Sequence, residues 1–148
     1  MKLRTSLIML LSCGIVAAHA QMSPVGLWQS VDDGNGQPKA EILIVERPGG
    51  GLSGKVEKSL LATPNPEPMC NLCTDDRKGQ AKIGMEIIRG GKQVEGKEVW
   101  EGGKILDPEN GKEYSLKLTP TDGGRKLEVR GYIGMPLLGR TQVWNRIR

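Results

Sequence analysis

The sequence predicts an all-β protein of eight short antiparallel strands joined in up-and-down order. Three observations carry that prediction. Apolar and polar residues alternate strictly in Tyr114-Ser115-Leu116-Lys117-Leu118 and in Leu127-Glu128-Val129-Arg130, the period of two that marks half-buried strands. Turn chemistry recurs at short intervals, and 21 Gly with 9 Pro in 148 residues supply the punctuation that many short elements need. No segment after residue 20 shows helical periodicity with clear caps.

Taken in chain order, residues 1–20 read as an export signal: Lys2 and Arg4 form a positive start, Leu7 to Ala18 is an apolar run, and Ala18-His19-Ala20 offers small residues to a signal peptidase. Cleavage after Ala20 leaves residues 21–148, the size of a single domain. The apolar run is too short to span a bilayer, and no later stretch approaches the roughly 18 apolar residues a spanning helix needs. The expected location is therefore the periplasm or the medium.

The strands are expected at Val25 to Val31, Ala40 to Glu46, Leu52 to Lys58, Ile83 to Ile88, Lys97 to Leu106, Tyr114 to Leu118, Leu127 to Arg130 and Arg140 to Ile147. Between them lie Asp33-Gly34-Asn35-Gly36, Pro48-Gly49-Gly50-Gly51, Gly90-Gly91, Asp107-Pro108-Glu109-Asn110-Gly111 and Asp122-Gly123-Gly124, so consecutive strands should pair as hairpins. Eight such strands can close into a barrel, which removes both exposed edges, or form a two-sheet sandwich. One stretch breaks the rhythm. From Leu60 to Lys82 the chain runs through Pro64, Pro66 and Pro68 to Cys70-Asn71-Leu72-Cys73, and a loop of that length is functional or tied down.

Removal of the signal also removes His19, the one histidine, and Cys13, one of three cysteines. Catalysis by Ser-His-Asp or Cys-His groups and a His-ligated metal thereby lose their central residue. Loss of Lys2 and Arg4 leaves 19 basic against 17 acidic residues, a net charge of +2, and no run of Lys and Arg interleaved with aromatics. Nucleic-acid binding is not expected.

Cys70 and Cys73 are the thiols that remain, and an oxidising compartment favours a disulfide between them, a local staple worth about 2 kcal/mol or less. The competing reading is a redox pair, which needs a thiolate at a helix N-terminus; a zinc site lacks a second pair of ligands. Asp32, Asp33 and Asp107 lie at strand ends, where they suit either turns or acid–base work, and Arg130 and Arg140 suit either an anion or a Trp face. Tyr132-Ile133-Gly134-Met135-Pro136-Leu137-Leu138-Gly139 is an uncharged apolar segment at the last hairpin, either a plug over one barrel end or a portal or docking surface.

Several segments together resemble the exported bacterial domain-of-unknown-function family 2147, whose fold is similar to lipocalins of the calycin type. They are Ser23-Pro24-Val25-Gly26-Leu27-Trp28 with Asp32-Asp33, Cys70-x-x-Cys73, Gly84-Met85-Glu86, Gly102 to Lys112, Arg130-Gly131-Tyr132-Ile133-Gly134 and Gly139-Arg140-Thr141-Gln142-Val143-Trp144. Gly26-Leu27-Trp28 also resembles the lipocalin G-x-W signature, whose Trp packs across the closed end beneath a basic residue. The resemblance implies a barrel, a structural role for Gly26 and Trp28, and Arg140 or Arg146 as the basic partner. The second lipocalin signature, T-D-x-Y, is absent.

The reading that follows is an exported, eight-stranded lipocalin-like β-barrel that holds a small hydrophobic or amphipathic molecule, without catalysis, cofactor or metal. The expected ligand wall is Trp100, Tyr114, Leu116, Leu118, Leu127, Val129, Tyr132 and Met135, with Trp100 turned outward if a bulge falls at Gly102-Gly103. The alternatives are an envelope interaction protein with a filled barrel and a thiol-redox protein using Cys70 and Cys73. Oligomeric state is not legible from the sequence.

Overall fold

The computed structural model describes residues 22–148; segment 1–20, where an export signal is expected, lies outside the described residues. Nine strands are present: β1 (Gly26–Val31), β2 (Pro38–Glu46), β3 (Leu52–Ser59), β4 (Glu86–Arg89), β5 (Lys92–Gln93), β6 (Trp100–Asp107), β7 (Lys112–Thr121), β8 (Lys126–Tyr132) and β9 (Arg140–Arg146). Every pairing is antiparallel, in the order β4-β3-β2-β1-β9-β8-β7-β6-β5, and β4 also pairs β6. Eight strands therefore close on themselves as a barrel, with β5 a two-residue spur on β6. Closure resolves the choice between barrel and sandwich, because no pair of strands is left to form a second sheet.

The seam is the least regular part of the wall. β4 meets β6 through Ile88↔Ile105 and Arg89↔Lys104 alone, whereas β7 and β8 match over seven residues. Beyond those two pairs the chains approach backbone to backbone: a Cβ on Gly103 would lie 2.7 Å from the carbonyl carbon of Gly90. Glycine on both sides lets the barrel shut there without side chains between the strands.

The expected strands are found, and their limits differ for identifiable reasons. β4 begins at Glu86 and not at Ile83, because Gly84 takes a left-handed turn (φ 84°) that carries its N–H to Val56 O. β7 extends to Thr121 and β8 to Tyr132, so their hairpin is longer than strict alternation marks. A bulge does fall at Gly102 (φ 80°), but it lies after Trp100, which stays inside, paired with Leu118. No helix among the described residues is long and apolar enough to cross a membrane.

The barrel interior divides into a packed end and an open end. Trp28, Ile44, Leu52, Leu118 and Leu127 are fully buried at the packed end. Burial of that many large apolar side chains, at roughly 1.5–3 kcal/mol each, is the main favourable term for this fold.

The long segment 60–82 is tied to the barrel by a disulfide between Cys70 and Cys73 and by a buried arginine. Arg77 donates to Asp75, to Glu113 on β7 at 2.7 Å and to Glu86 O on β4 at 3.0 Å. Burial by itself would lower the Arg77 pKa, but the Asp75 and Glu113 carboxylates more than offset it and hold the cation. The hydrogen bonds from Arg77 draw the Asp75 carboxyl down to about 2. Arg89 forks onto Asp76 through two bonds of 2.8 Å, closing the network onto β4.

Candidate functional site

The closed end is organised around one cross-strand pair. Trp28 on β1 lies directly opposite Arg146 on β9, so both side chains leave the same face of the sheet. The guanidinium sits 4.1 Å from the centre of the indole ring, a cation–π stack inside the barrel. Its N–H groups donate to Gly124 O at 2.5 Å, Val25 O at 2.9 Å and Ser23 O at 2.6 Å. Burial pushes the Arg146 pKa down, so these carbonyl dipoles and the ring stand in for water around the charge. Trp28 completes the plug by donating its indole N–H to Pro24 O at 2.7 Å.

Gly26 is explained by the same contact. A Cβ at that position would lie 2.3 Å from Arg146 Nη1, and its φ of 147° disfavours any side chain. Arg146 is thus the basic residue over Trp28. Arg140 is not: it stands at the opposite end of β9, in an ion pair of 2.9 Å with Asp33. Trp28 and Arg140 cannot meet because six residues of strand, about 20 Å, separate Arg140 from Arg146.

Above Trp28 the barrel opens into a cavity of about 1170 Å³ that reaches solvent at the far end. Pockets for drug-sized ligands run roughly 300–1,000 Å³, so this one admits a large or elongated molecule. Its deep wall is Ile42, Val56, Ile87, Ile105, Val129 and Trp144. The polar groups at that depth are satisfied by the protein: Trp144 donates to Gln142 Oε1 at 2.8 Å and Ser30 Oγ to Ala40 O at 3.2 Å. Among the described residues no buried side-chain N or O lacks a hydrogen-bond partner. The depth of the cavity therefore offers a ligand shape and apolar surface, not an orphaned donor.

The rim is different. Charged residues ring it: Asp32, Asp33, Lys39, Lys82, Glu109 and Arg140. Lys82 pairs with Glu109 at 3.1 Å, and Arg140 with Asp33. Asp32 accepts from Gly34 N and Asn35 N, and Asp107 from Glu109 N and Asn110 Nδ2. These aspartates are held in turn and ion-pair roles. Arg130 is likewise spent on the chain, donating to Pro136 O at 2.6 Å and Thr141 Oγ1 at 2.7 Å.

Of the ligand wall expected from sequence, Tyr114, Val129 and Tyr132 line the cavity. Leu116, Leu118, Leu127 and Trp100 do not, and the expectation is corrected for them. Leu116, Leu118 and Leu127 are buried against other side chains in the packed end, and Trp100 borders a small recess beside Met22 and Glu46. Facing inward places a side chain inside the barrel but not in its open half. Met135 is also corrected: it is 61% exposed and stands off the cavity wall, at the tip of a segment whose ends, Tyr132, Ile133, Leu138 and Gly139, border the mouth.

Ile42, Val56, Ile87, Ile105 and Trp144 were not singled out by sequence. The alternation of Ala40, Ile42 and Ile44 on β2 was the available signal for the first. Ile87 had none, because a register shift opposite Gly54 and Lys55 buries it beside Ile88.

A family model described as an uncharacterized protein conserved in bacteria (DUF2147) matches residues 26–146. The chain belongs to this family. None of the curated proteins compared matches it. Among solved structures, the family member is similar to HP1028 from the human pathogen Helicobacter pylori, described as belonging to the lipocalin family. That likeness has a TM-score of 0.70 at 18% identity and covers 84% of this chain and 82% of the other. At that identity it shows the fold: this DUF2147 chain is a lipocalin-like barrel.

Proposed function

We propose that this DUF2147 protein is an exported binding protein that holds a small hydrophobic or amphipathic molecule in the open half of its barrel. The observation that carries this reading is the cavity itself, apolar at depth and charged at its rim. An apolar tail gains from the isoleucine and valine wall, and a polar head is left at the charged rim, where Lys39 stands beside the Lys82–Glu109 and Arg140–Asp33 pairs. Export is supported by the signal features of residues 1–20 and by a disulfide, which persists in oxidising compartments.

The reading is tested by titrating the mature protein with an apolar fluorescent probe and by native mass spectrometry of gently purified protein. One-to-one binding is expected, and Val129→Trp should abolish it by filling the deep wall while the circular dichroism spectrum stays that of a β-barrel. Glu128→Lys, on the outer face, should bind as the wild type does. A probe affinity unchanged in Val129→Trp would refute the assignment.

A further inference from the structure

We infer that the open end of the barrel docks on a lipid bilayer, led by the loop that joins β8 to β9. The inference extends the binding function proposed above and rests on it only for what passes through the mouth, not for the docking. Ile133, Met135, Leu137 and Leu138 all project into solvent, with Leu137 81% exposed. Exposed apolar side chains scattered singly need no explanation, but four within six residues form a patch that does.

The loop is built to display these side chains. Pro136–Leu138 form a single 3-10 turn in which Leu138 N donates to Met135 O and Gly139 N to Pro136 O. Met135 N donates to Ile133 O, and Arg130 takes the carbonyls of Pro136 and Leu137. Pro136 has no N–H to satisfy. The carbonyls of Ile133, Met135, Pro136 and Leu137 are thereby satisfied within the protein, while the N–H groups of Ile133, Gly134 and Leu137 have no protein acceptor, so the tip suits the headgroup boundary, where lipid oxygens and water accept from them, and not the hydrocarbon core. No residue from Tyr132 to Gly139 is charged, and the arginines at its base are taken up by the protein, Arg130 by Pro136, Leu137 and Thr141 and Arg140 by Asp33, so docking is driven by burial of the apolar side chains.

The patch is also continuous with the cavity. Ile133 and Leu138 line the mouth, and from the other long loop so do Leu61 and Ile83, themselves half exposed. A bilayer covering this end would join its hydrocarbon to the apolar wall, so that an amphiphile enters tail first without crossing water.

The test is co-sedimentation of the mature protein with vesicles of phosphatidylethanolamine and phosphatidylglycerol, alongside probe binding without vesicles. Leu137→Asp is the variant, because Leu137 does not line the cavity and its exposure makes it dispensable for folding. The wild type should pellet with vesicles, and Leu137→Asp should partition roughly tenfold more weakly with unchanged probe affinity. Wild-type protein left in the supernatant, or a variant that pellets equally, overturns the docking. Self-association through the patch, seen as a dimer that Leu137→Asp dissociates, with no vesicle binding, also overturns it. Vesicle binding without probe binding would support docking and refute the cavity reading, so the two failures are distinguishable.

Discussion

Replacing Trp28 by alanine is the sharpest test of the closed end. The indole is fully buried, stacked beneath Arg146 and bonded to Pro24 O. Truncation of a large buried aromatic costs about 3–5 kcal/mol through lost transfer energy and the cavity left behind. The orphaned Pro24 carbonyl adds to the loss, as does the partly buried Arg146, whose three carbonyl partners remain but whose ring does not. The expectation is therefore the upper end, about 4–5 kcal/mol. Domains of this kind have total stabilities of about 5–15 kcal/mol, so the variant should sit close to its unfolding midpoint in little or no denaturant. Urea unfolding followed by far-ultraviolet circular dichroism measures it, with wild-type and variant slopes compared to confirm the same unfolding reaction. Trp28→Phe keeps a ring beneath Arg146 and removes the N–H, so it should cost clearly less. A loss below about 1 kcal/mol for Trp28→Ala would refute the stacked plug.

Three further outcomes follow from the loop 60–82. Replacing Cys70 and Cys73 together by serine should loosen that loop with little effect on the barrel, costing about 2 kcal/mol or less because the bridge spans only three positions; hydrogen exchange measures it, and loss of the whole β-sheet signal would contradict it. Acid should act on the same loop first. Asp75, Asp76 and Glu86 all titrate below their ordinary values, because arginines hold Asp75 and Asp76 and because Ser53 and Arg89 outweigh the burial of Glu86. A carboxylate depressed in the folded state contributes stability above its unfolded pKa and loses it as pH falls through the folded one. For Asp75 that window runs from about 4 down to about 2, and amide exchange in 60–82 should rise across it before the barrel unfolds. Arg77→Met should bring the same loosening at neutral pH, read by limited proteolysis within 60–82, since it leaves Asp75 and Glu113 without their shared cation.

Much of the barrel was legible because its signals are local. Alternation in 114–118 and 127–130 depends on the two-residue repeat of a strand, and glycine pairs mark hairpins by their own dihedral freedom. Gly26-Leu27-Trp28 pointed to the closed end through its resemblance to a known signature. The disulfide was legible because two cysteines three positions apart have few other uses in an oxidising compartment. The sequence by itself thus determined the fold class and the order of the strands.

Tertiary structure decided the rest. Alternation says which side chains face inward but not how far along the axis each one lies. Only closure of the barrel separated Leu118 and Leu127, in the packed end, from Val129 and Tyr114, beside the cavity. The choice between Arg140 and Arg146 likewise rested on β1–β9 register, a pairing between residues more than a hundred positions apart. The Arg77 network joins Asp75, Glu86 and Glu113 from three separate elements and left no pattern in the chain. Each of these depends on long-range pairing and on depth within a closed sheet, which a two-residue periodicity does not encode.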